Sequence, residues 1–228
     1  MSLPKPYYQD DSCTIYHGDC REILPHLAPV DLVLTDPPYG IGADSSMHKQ
    51  SGQQYGNAAT QKRHYEATNW DAGTVDDDTI LLAIAAAHYS IIFGGNYYGH
   101  LLKPTPCWLV WDKENGANNF ADCELAWTNL PQAVRIKRHL WNGMLRKGQE
   151  ERAHPTQKPL DVMKWCITQA DKHGDIRTIL DPFMGSGTTL RAAKDLGRKA
   201  IGIEIEEKYC EIAVKRLRQE VLPLRERA

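Results

Sequence analysis

The chain has 228 residues, of which 42% are hydrophobic and 25% are charged, and its formal net charge is −2. This composition excludes disordered and collagen-like proteins, and the small negative charge argues against a protein that coats nucleic acid by bulk electrostatics. The length predicts one globular domain over residues 1–228, large enough to bury a core without disulfides or metal ions.

Neither a membrane segment nor a metal-binding cluster is predicted. No stretch approaches the roughly 20 apolar residues that a spanning helix needs, and the N-terminal residues lack the apolar core of a secretory signal. We therefore expect a cytoplasmic protein. The six cysteines are scattered, without the Cys-x-x-Cys spacing that zinc sites favour, which indicates reduced thiols that mostly pack in the interior.

Short apolar, β-branched runs alternate with longer stretches of helical periodicity, which is typical of βαβ units around a mostly parallel sheet. The predicted fold class is therefore doubly wound α/β. The predicted strands are Cys13–Tyr16, Leu32–Thr35, Ser90–Phe93, Trp108–Trp111, Ala133–Ile136, Thr178–Leu180 and Ala200–Ile203. The predicted helices are Ile80–His88, Leu160–Ala170, Thr188–Asp195 and Lys208–Glu220.

The second of these strands ends in the sequence Asp36-Pro37-Pro38-Tyr39. Two prolines cannot continue a sheet ladder, so Asp36 must lie at the carboxyl end of the strand, where open α/β sheets bind ligands. The Asp36 carboxylate and the Pro37 carbonyl can each accept an N–H from an exocyclic amine, and Tyr39 can stack on a base. A simple turn, with Asp36 capping a neighbouring group, is the alternative interpretation.

A polar segment follows this motif, from Gly40 to Asp71, and it includes the basic residues Lys62 and Arg63. A structureless loop of this length is usually either functional or disordered. Because the segment follows the Asp36 motif directly, we expect a mobile, substrate-facing loop at about 41–70.

Basic residues also concentrate from Arg135 to Arg152, where six lysines and arginines stand against two acids, a local balance of 6 − 2 = +4. This stretch can meet a phosphate backbone, and a solvated basic surface is an equally good interpretation. The candidate DNA contacts in the two segments are Lys62, Arg63, Arg135, Lys137, Arg138, Arg146 and Lys147.

A second motif, Asp181–Thr188, joins a predicted strand to a helix through a loop with two glycines. Glycine allows close approach of a ligand to the backbone, and Thr188 or Thr189 can cap the helix. The loop lacks the lysine of a phosphate-binding P-loop and does not fit Gly-x-Gly-x-x-Gly. Glu204 ends the next strand, where an acid can bind ribose hydroxyls, so the segment predicts a nucleoside pocket.

With both motifs in this order, the chain resembles the β-class S-adenosylmethionine-dependent DNA amino-methyltransferases, the N6-adenine/N4-cytosine family. The resemblance extends from about Tyr16 to Ala213 and includes His154–Pro159, with the sequence His-Pro-Thr-Gln-Lys-Pro. It implies a Rossmann-like methyltransferase fold with a mostly parallel seven-stranded sheet and a circularly permuted motif order. It also implies S-adenosylmethionine as cofactor, no metal, and duplex DNA with a flipped base as partner.

The resemblance assigns residues to two roles. The catalytic residues it implies are Asp36, Pro37, Pro38 and Tyr39. The cofactor-binding residues it implies are Asp19, Asp36, Lys158, Pro159, Asp181, Pro182, Phe183, Gly185, Ser186, Gly187, Thr188 and Glu204. From the residues alone, Lys158 also fits an exposed helix start, Asp19 a helix cap and His154 a loop histidine.

The acceptor that this resemblance favours is adenine N6, because the motif begins with Asp, whereas Ser is commoner in the cytosine-N4 enzymes that the chain resembles. The alternatives are cytosine N4, adenine in RNA, a protein side-chain amide, and a non-catalytic nucleic-acid-binding scaffold. Only a short link, Trp141 to Ala153, stands where larger members insert a target-recognition segment. Recognition then falls to the loop at 41–70, the basic stretch, or the second subunit of a homodimer.

Overall fold

The structure is a computed structural model that describes residues 3–40, 75–115, 121–142, 145–146 and 157–219. The predicted loop at 41–70, with Lys62 and Arg63, lies outside the described residues, as do Lys147 and His154.

Eleven short extended segments are present in the described part of the chain. They are β1 (Tyr8–Gln9), β2 (Cys13–His17), β3 (Val30–Thr35), β4 (Ala87–Phe93), β5 (Trp108–Asp112), β6 (Cys123–Thr128), β7 (Arg135–Arg138), β8 (Trp141–Asn142), β9 (Leu145–Arg146), β10 (Thr178–Asp181) and β11 (Lys199–Glu204). Nine of them form one sheet in the order β1-β2-β11-β10-β3-β4-β6-β5-β7, and β8 pairs with β9.

Five helices are present in the described part of the chain. They are α1 (Cys20–Ile23), α2 (Asp77–Ala85), α3 (Leu160–Ala170), α4 (Thr188–Asp195) and α5 (Glu207–Arg218). Two short 3-10 turns cover Leu24–His26 and Gly95–Tyr98. Across the described residues, no helix combines the length and apolar character needed to cross a membrane.

The middle of the sheet is parallel, as the sequence predicted. Strands β2, β11, β10, β3 and β4 run in one direction, and β6 is antiparallel to both of its neighbours, β4 and β5. The α/β class is confirmed, but the described sheet has nine strands rather than seven. The sequence patterns missed β1, which has only two residues, and β6, whose second residue is a glutamate.

Alternate residues of the central strands point to opposite faces of the sheet, because side chains alternate along a strand. Leu32 and Leu34 of β3 belong to an apolar cluster with residues of α3, α4 and α5. Val33 belongs to a second cluster, with Ile23 of α1 and Ala83 of α2. Helices therefore cover both faces of the sheet, and the ends of the strands remain open to ligands.

Several predicted element bounds are wrong by a few residues. The helix predicted at Ile80–His88 covers Asp77–Ala85, because the Asp76 carboxylate caps its first turn by accepting from the Thr79 N–H, at 3.0 Å. The strand predicted at Ala133–Ile136 lies at Arg135–Arg138.

The last helix begins at Glu207 and ends at Arg218, two residues before the predicted end at Glu220, which itself lies outside the described residues. The predicted threonine cap of α4 is also wrong. Gly187, with a positive φ of 78°, precedes the helix, and Thr188 and Thr189 lie inside it.

Candidate active site

The carboxyl ends of the parallel strands meet at one edge of the sheet, and four acidic residues stand there. Asp181 and Glu204 end β10 and β11, Asp36 follows β3, and Asp19 lies two residues beyond β2. A cavity of about 650 Å³ opens between them. This volume is within the range of small-molecule sites.

Most of the predicted cofactor residues line this cavity: Asp19, Asp36, Lys158, Asp181, Pro182, Phe183, Gly185, Ser186, Thr188 and Glu204. Pro159 and Gly187 do not line it. Pro159 is buried as the residue that precedes α3, and a Cβ on Gly187 would lie 2.7 Å from Ala213 Cβ. A side chain at Gly187 would therefore overlap α5, so the packing of α5 requires glycine there.

Asp181 fixes the start of the loop Asp181–Thr188, which is called the glycine loop below. Its side chain is buried, and its Oδ1 accepts hydrogen bonds from Thr35 Oγ1 at 2.7 Å and from the Phe183 N–H at 3.1 Å. Burial raises the pKa of Asp181 to about 6, and the nearby Asp36 charge acts in the same direction. Its hydrogen bonds thus fix the loop that a ligand would meet.

Glu204 closes the same loop from β11. One carboxylate oxygen accepts from the Gly185 N–H and the other from the Glu206 N–H, each at 2.9 Å. Burial raises the pKa of Glu204 to about 7, with the Asp181 charge as a further cause. Gly185 has a φ of +50°, and no atom lies within 4 Å of the position that a Cβ would take. The backbone is therefore open to a ligand beside the carboxylate.

Asp19 lines the cavity and is also the cap of α1. It caps α1 by accepting from the Arg21 N–H at 2.9 Å, and its Oδ2 lies 2.5 Å from the Arg21 guanidinium. The Arg21 hydrogen bonds lower the pKa of Asp19, which keeps this wall of the cavity ionised.

Asp36 is the end of a chain of four charged side chains. Lys158 Nζ lies 2.5 Å from Asp36 Oδ2 and 3.0 Å from Glu124 Oε2, and Lys113 Nζ lies 2.6 Å from Glu124 Oε1. The other Asp36 oxygen accepts from the Tyr39 hydroxyl. Lys158 is 6% exposed, which rejects the interpretation of an exposed helix-start residue.

The pKa shifts follow from this arrangement. Burial raises the pKa of Asp36 and the Glu124 charge adds to it, against the opposing effect of Lys158. Burial lowers the pKa of Lys158, but its two carboxylate partners offset this and the pKa is raised overall. Lys158 and Lys113 together lower the pKa of Glu124 in spite of its burial. Lys158 and Glu124 are therefore held in their charged forms.

Tyr39 stands in an aromatic group beside Asp36. Its ring stacks on Tyr97, with centroids 4.9 Å apart and planes at 16°, and Tyr97 is 42% exposed. On Gly94, which has a φ of +66°, an added Cβ would overlap the Tyr39 ring. The Pro38 carbonyl accepts from the Tyr98 hydroxyl at 2.5 Å. Tyr98 thus fixes the Pro38 backbone, and Tyr97 and Gly94 pack against the Tyr39 ring.

Sequence reasoning missed two groups of these residues. Gly94 and Tyr97 follow β4 at the same sheet edge as Asp36, so a glycine pair followed by two tyrosines at a strand end was an available signal. Glu124 is the one acid within β6, and Lys113 follows β5. An acid inside an otherwise apolar strand needs a buried partner, but the sequence did not indicate which lysine supplies it.

The predicted basic contacts on β7, the ones whose side chains the structure describes, do not line the cavity. Arg135 and Arg138 are exposed and Lys137 is half-buried, all on the edge strand β7. Arg138 also lies 3.4 Å from Asp112 Oδ2. Arg146 belongs to the small β8–β9 pair.

The comparisons with known proteins agree with this geometry. A family model described as DNA methylase matches residues 108–215. The type II methyltransferase M2.LlaDCHI of Lactococcus lactis subsp. cremoris is 28% identical, over 94% of this chain and 93% of that protein. M2.DpnII of Streptococcus pneumoniae is also 28% identical, over 96% and 94% respectively.

The chain is thus similar to DNA methylases of the N6/N4 family over residues 108–215, and to type II methyltransferases over most of its length. Among solved structures, the complex of M1.HpyAVI with S-adenosylmethionine (SAM) is 26% identical, covers 91% of this chain and 100% of that chain, and has a TM-score of 0.57. The PvuII DNA methyltransferase, titled cytosine-N4-specific, has a TM-score of 0.58 at 15% identity, which shows the shared fold alone. The Rossmann-like methyltransferase fold expected from the sequence is confirmed.

Proposed function

We propose that this chain transfers a methyl group from SAM to the exocyclic amine of a base in DNA, with adenine N6 as the favoured acceptor. The observation that carries the proposal is the position of Asp36. It stands in the wall of the same cavity that contains Glu204 and the glycine loop, so an amine acceptor and a nucleoside site share one space.

The cavity suits a nucleoside cofactor. Glu204 offers carboxylate lone pairs for ribose hydroxyls, and Gly185 leaves its backbone open beside them. Asp19 lines the same cavity, and the family resemblance expects the adenine ring near it. When bound, SAM supplies an activated methyl group on its sulfonium. M1.HpyAVI, a relative at 26% identity, has been solved with SAM.

Asp36 and the Pro37 carbonyl act on the acceptor amine. An exocyclic amine is a poor nucleophile because its lone pair is delocalised into the ring. The Asp36 carboxylate and the Pro37 carbonyl each accept one N–H, which directs the lone pair away from the ring plane. A flipped base, removed from its stack at a cost of a few kcal/mol, regains part of this by stacking on the Tyr39 and Tyr97 group.

Adenine rather than cytosine is favoured by Asp36, the first residue of the motif. The fold does not distinguish the two bases, because the cytosine-N4-specific PvuII enzyme shares it. Cytosine N4 is therefore the second candidate. We propose that residues 1–228 form one catalytic domain, and that the loop at 41–70 or the second subunit of a homodimer assists base recognition.

The test of this function is transfer of a labelled methyl group from SAM to duplex DNA, single-stranded DNA and RNA, each offered alone. We expect label in duplex DNA. Cofactor binding without transfer to any nucleic acid would move the assignment to a protein substrate or to a scaffold, and label in RNA alone would replace DNA as the substrate.

Cofactor affinity should depend on pH through Glu204. Because its pKa is raised to about 7, the carboxyl is mostly protonated below pH 7 in the free protein, whereas ribose hydroxyls donate to the ionised form. Binding should therefore release a proton, and affinity should fall by up to about tenfold per unit as pH drops below 7. Calorimetry in buffers of different ionisation enthalpy measures this release. In Glu204→Gln, affinity should be weaker and flat over this range; a flat wild-type profile rejects the ribose assignment.

The basic edge strand should contribute to DNA affinity through phosphates. Replacing Arg135 and Arg138 together by alanine should reduce the slope of log affinity against log salt by about two, since each phosphate contact contributes about one. Arg177→Ala is the matched control, because Arg177 is 77% exposed and precedes β10, at the opposite end of the strand from the cavity. An equal salt slope in both variants would remove β7 from the DNA surface.

A further inference from the structure

We propose that Glu124 is a positioning residue that holds Lys158 between two carboxylates, so that Lys158 can leave Asp36 when an amine enters the site. The inference deepens the proposed methyl transfer and rests on it. Neither the motifs nor the family resemblance drew attention to Glu124.

Asp36 has both of its oxygens engaged in the structure. Lys158 Nζ lies 2.5 Å from Oδ2, and the Tyr39 hydroxyl donates to Oδ1. An amine that donates to Asp36 must share or displace one of these partners. The ammonium is the partner to displace, because nitrogen that bonds to a methyl group gains positive charge, and a second cation beside the acceptor opposes that gain.

Lys158 cannot simply move into water. Its side chain is 6% exposed, and removing a buried ammonium from every anion is costly. Glu124 Oε2 lies 3.0 Å from the same Nζ, so a small shift toward Glu124 exchanges one carboxylate for another. The ammonium thus keeps a partner in both positions.

Glu124 is itself fixed in place. It lies on β6 opposite Trp111 of β5, and its other oxygen is 2.6 Å from Lys113 Nζ, which also stands 5.1 Å from the centre of the Trp111 ring. Two carboxylates and two ammonium groups balance to zero charge in the group. The sheet therefore presents a second anion to Lys158, held in place by Lys113.

The charges around Asp36 determine the direction in which each substitution should move its pKa. The groups that act on it from neighbouring elements are Lys158 before α3, Glu124 on β6, and Asp181 at the end of β10, with the Tyr39 phenol beside it. Removing the negative charge of Glu124 should lower the pKa of Asp36. Removing the positive charge of Lys113 should raise it, because Lys113 partly neutralises Glu124.

The experiment compares the pH profiles of methyl transfer to DNA for the wild type, Glu124→Gln and Lys113→Met. In Glu124→Gln, Lys158 has Asp36 as its remaining carboxylate partner among those described, so kcat should fall on the order of tenfold, a typical size for coupled charged neighbours. The acid limb of kcat/KM should move to lower pH, and SAM affinity should be unchanged. In Lys113→Met the acid limb should move to higher pH.

Asp195→Asn is the control for the loss of a buried carboxylate. Asp195 is 8% exposed and pairs with Lys164 and Arg191 on α3 and α4, outside the cavity lining. This variant should lose thermal stability while its pH profile is unchanged. It separates a general loss of stability from an effect on Asp36.

Each outcome decides one claim. Opposite shifts of the acid limb in the two variants support the positioning role, whereas lowered activity in Glu124→Gln with an unmoved acid limb shows that Glu124 is only structural. A variant that fails to fold leaves the other variant to decide by the sign of its shift. Absence of transfer by the wild type would contradict the proposed function instead.

Discussion

Asp36→Asn should reduce methyl transfer to DNA by about 10³-fold, the loss expected when one preorganised group at a reacting centre is removed. The amide keeps the shape of the carboxylate, but it presents one oxygen acceptor and an NH₂ group where the amine needs an acceptor. SAM affinity should remain close to that of the wild type, because Glu204 and the glycine loop are unchanged. Single-turnover transfer and calorimetry measure the two effects separately.

Asp31→Asn is the matched control for this variant. Asp31 lies at the other end of β3, where its Oδ2 accepts from the Thr178 N–H and from Thr178 Oγ1, both at 2.8 Å. Its replacement should lower thermal stability and leave transfer unchanged. Wild-type turnover in Asp36→Asn would remove Asp36 from the chemistry.

Gly94→Ala should reduce transfer by about 100-fold, which is the effect of displacing a reacting group by about 1 Å. The new methyl group would overlap the ring of Tyr39, so the ring and the backbone that carries it must shift. Since Tyr39 donates to Asp36, the acceptor would move with the ring. Steady-state kinetics should show the loss in kcat, with SAM affinity retained.

Gly197→Ala separates this displacement from backbone strain. Gly197 has a φ of +70°, close to the +66° of Gly94, but no atom lies within 4 Å of its Cβ position. Both variants therefore carry a left-handed alanine, which costs on the order of 1 kcal/mol of stability. Equal losses of transfer in the two variants would show that strain, rather than the Tyr39 contact, is responsible.

Much of this site could be predicted because its information is local. The prolines after Asp36 force the chain out of β3, and the glycines after Asp181 mark a strand-to-helix turn. In a parallel sheet such strand ends meet at one edge, so local patterns were enough to bring Asp36, Asp181 and Glu204 together.

The ion pairs among Asp36, Lys158 and Glu124 were not predicted, because they join residues that are distant in the sequence. Lys158 is 122 positions from Asp36 in the chain, and no local pattern connects either of them to Glu124. A Lys-Pro pair before a helix is as consistent with an exposed helix start as with a buried ion pair. Strand β6 was missed for the same reason, because Glu124 is tolerated there only through its lysine partners.

The most direct test of the central claim is mass identification of the nucleosides in DNA after incubation with the protein and SAM, with Asp36→Asn in parallel. We predict N6-methyladenine from the wild type and almost none from the variant. N4-methylcytosine would keep the role of Asp36 and overturn adenine as the acceptor. DNA with no methylated amine, from a wild-type protein that binds SAM, would contradict the central claim.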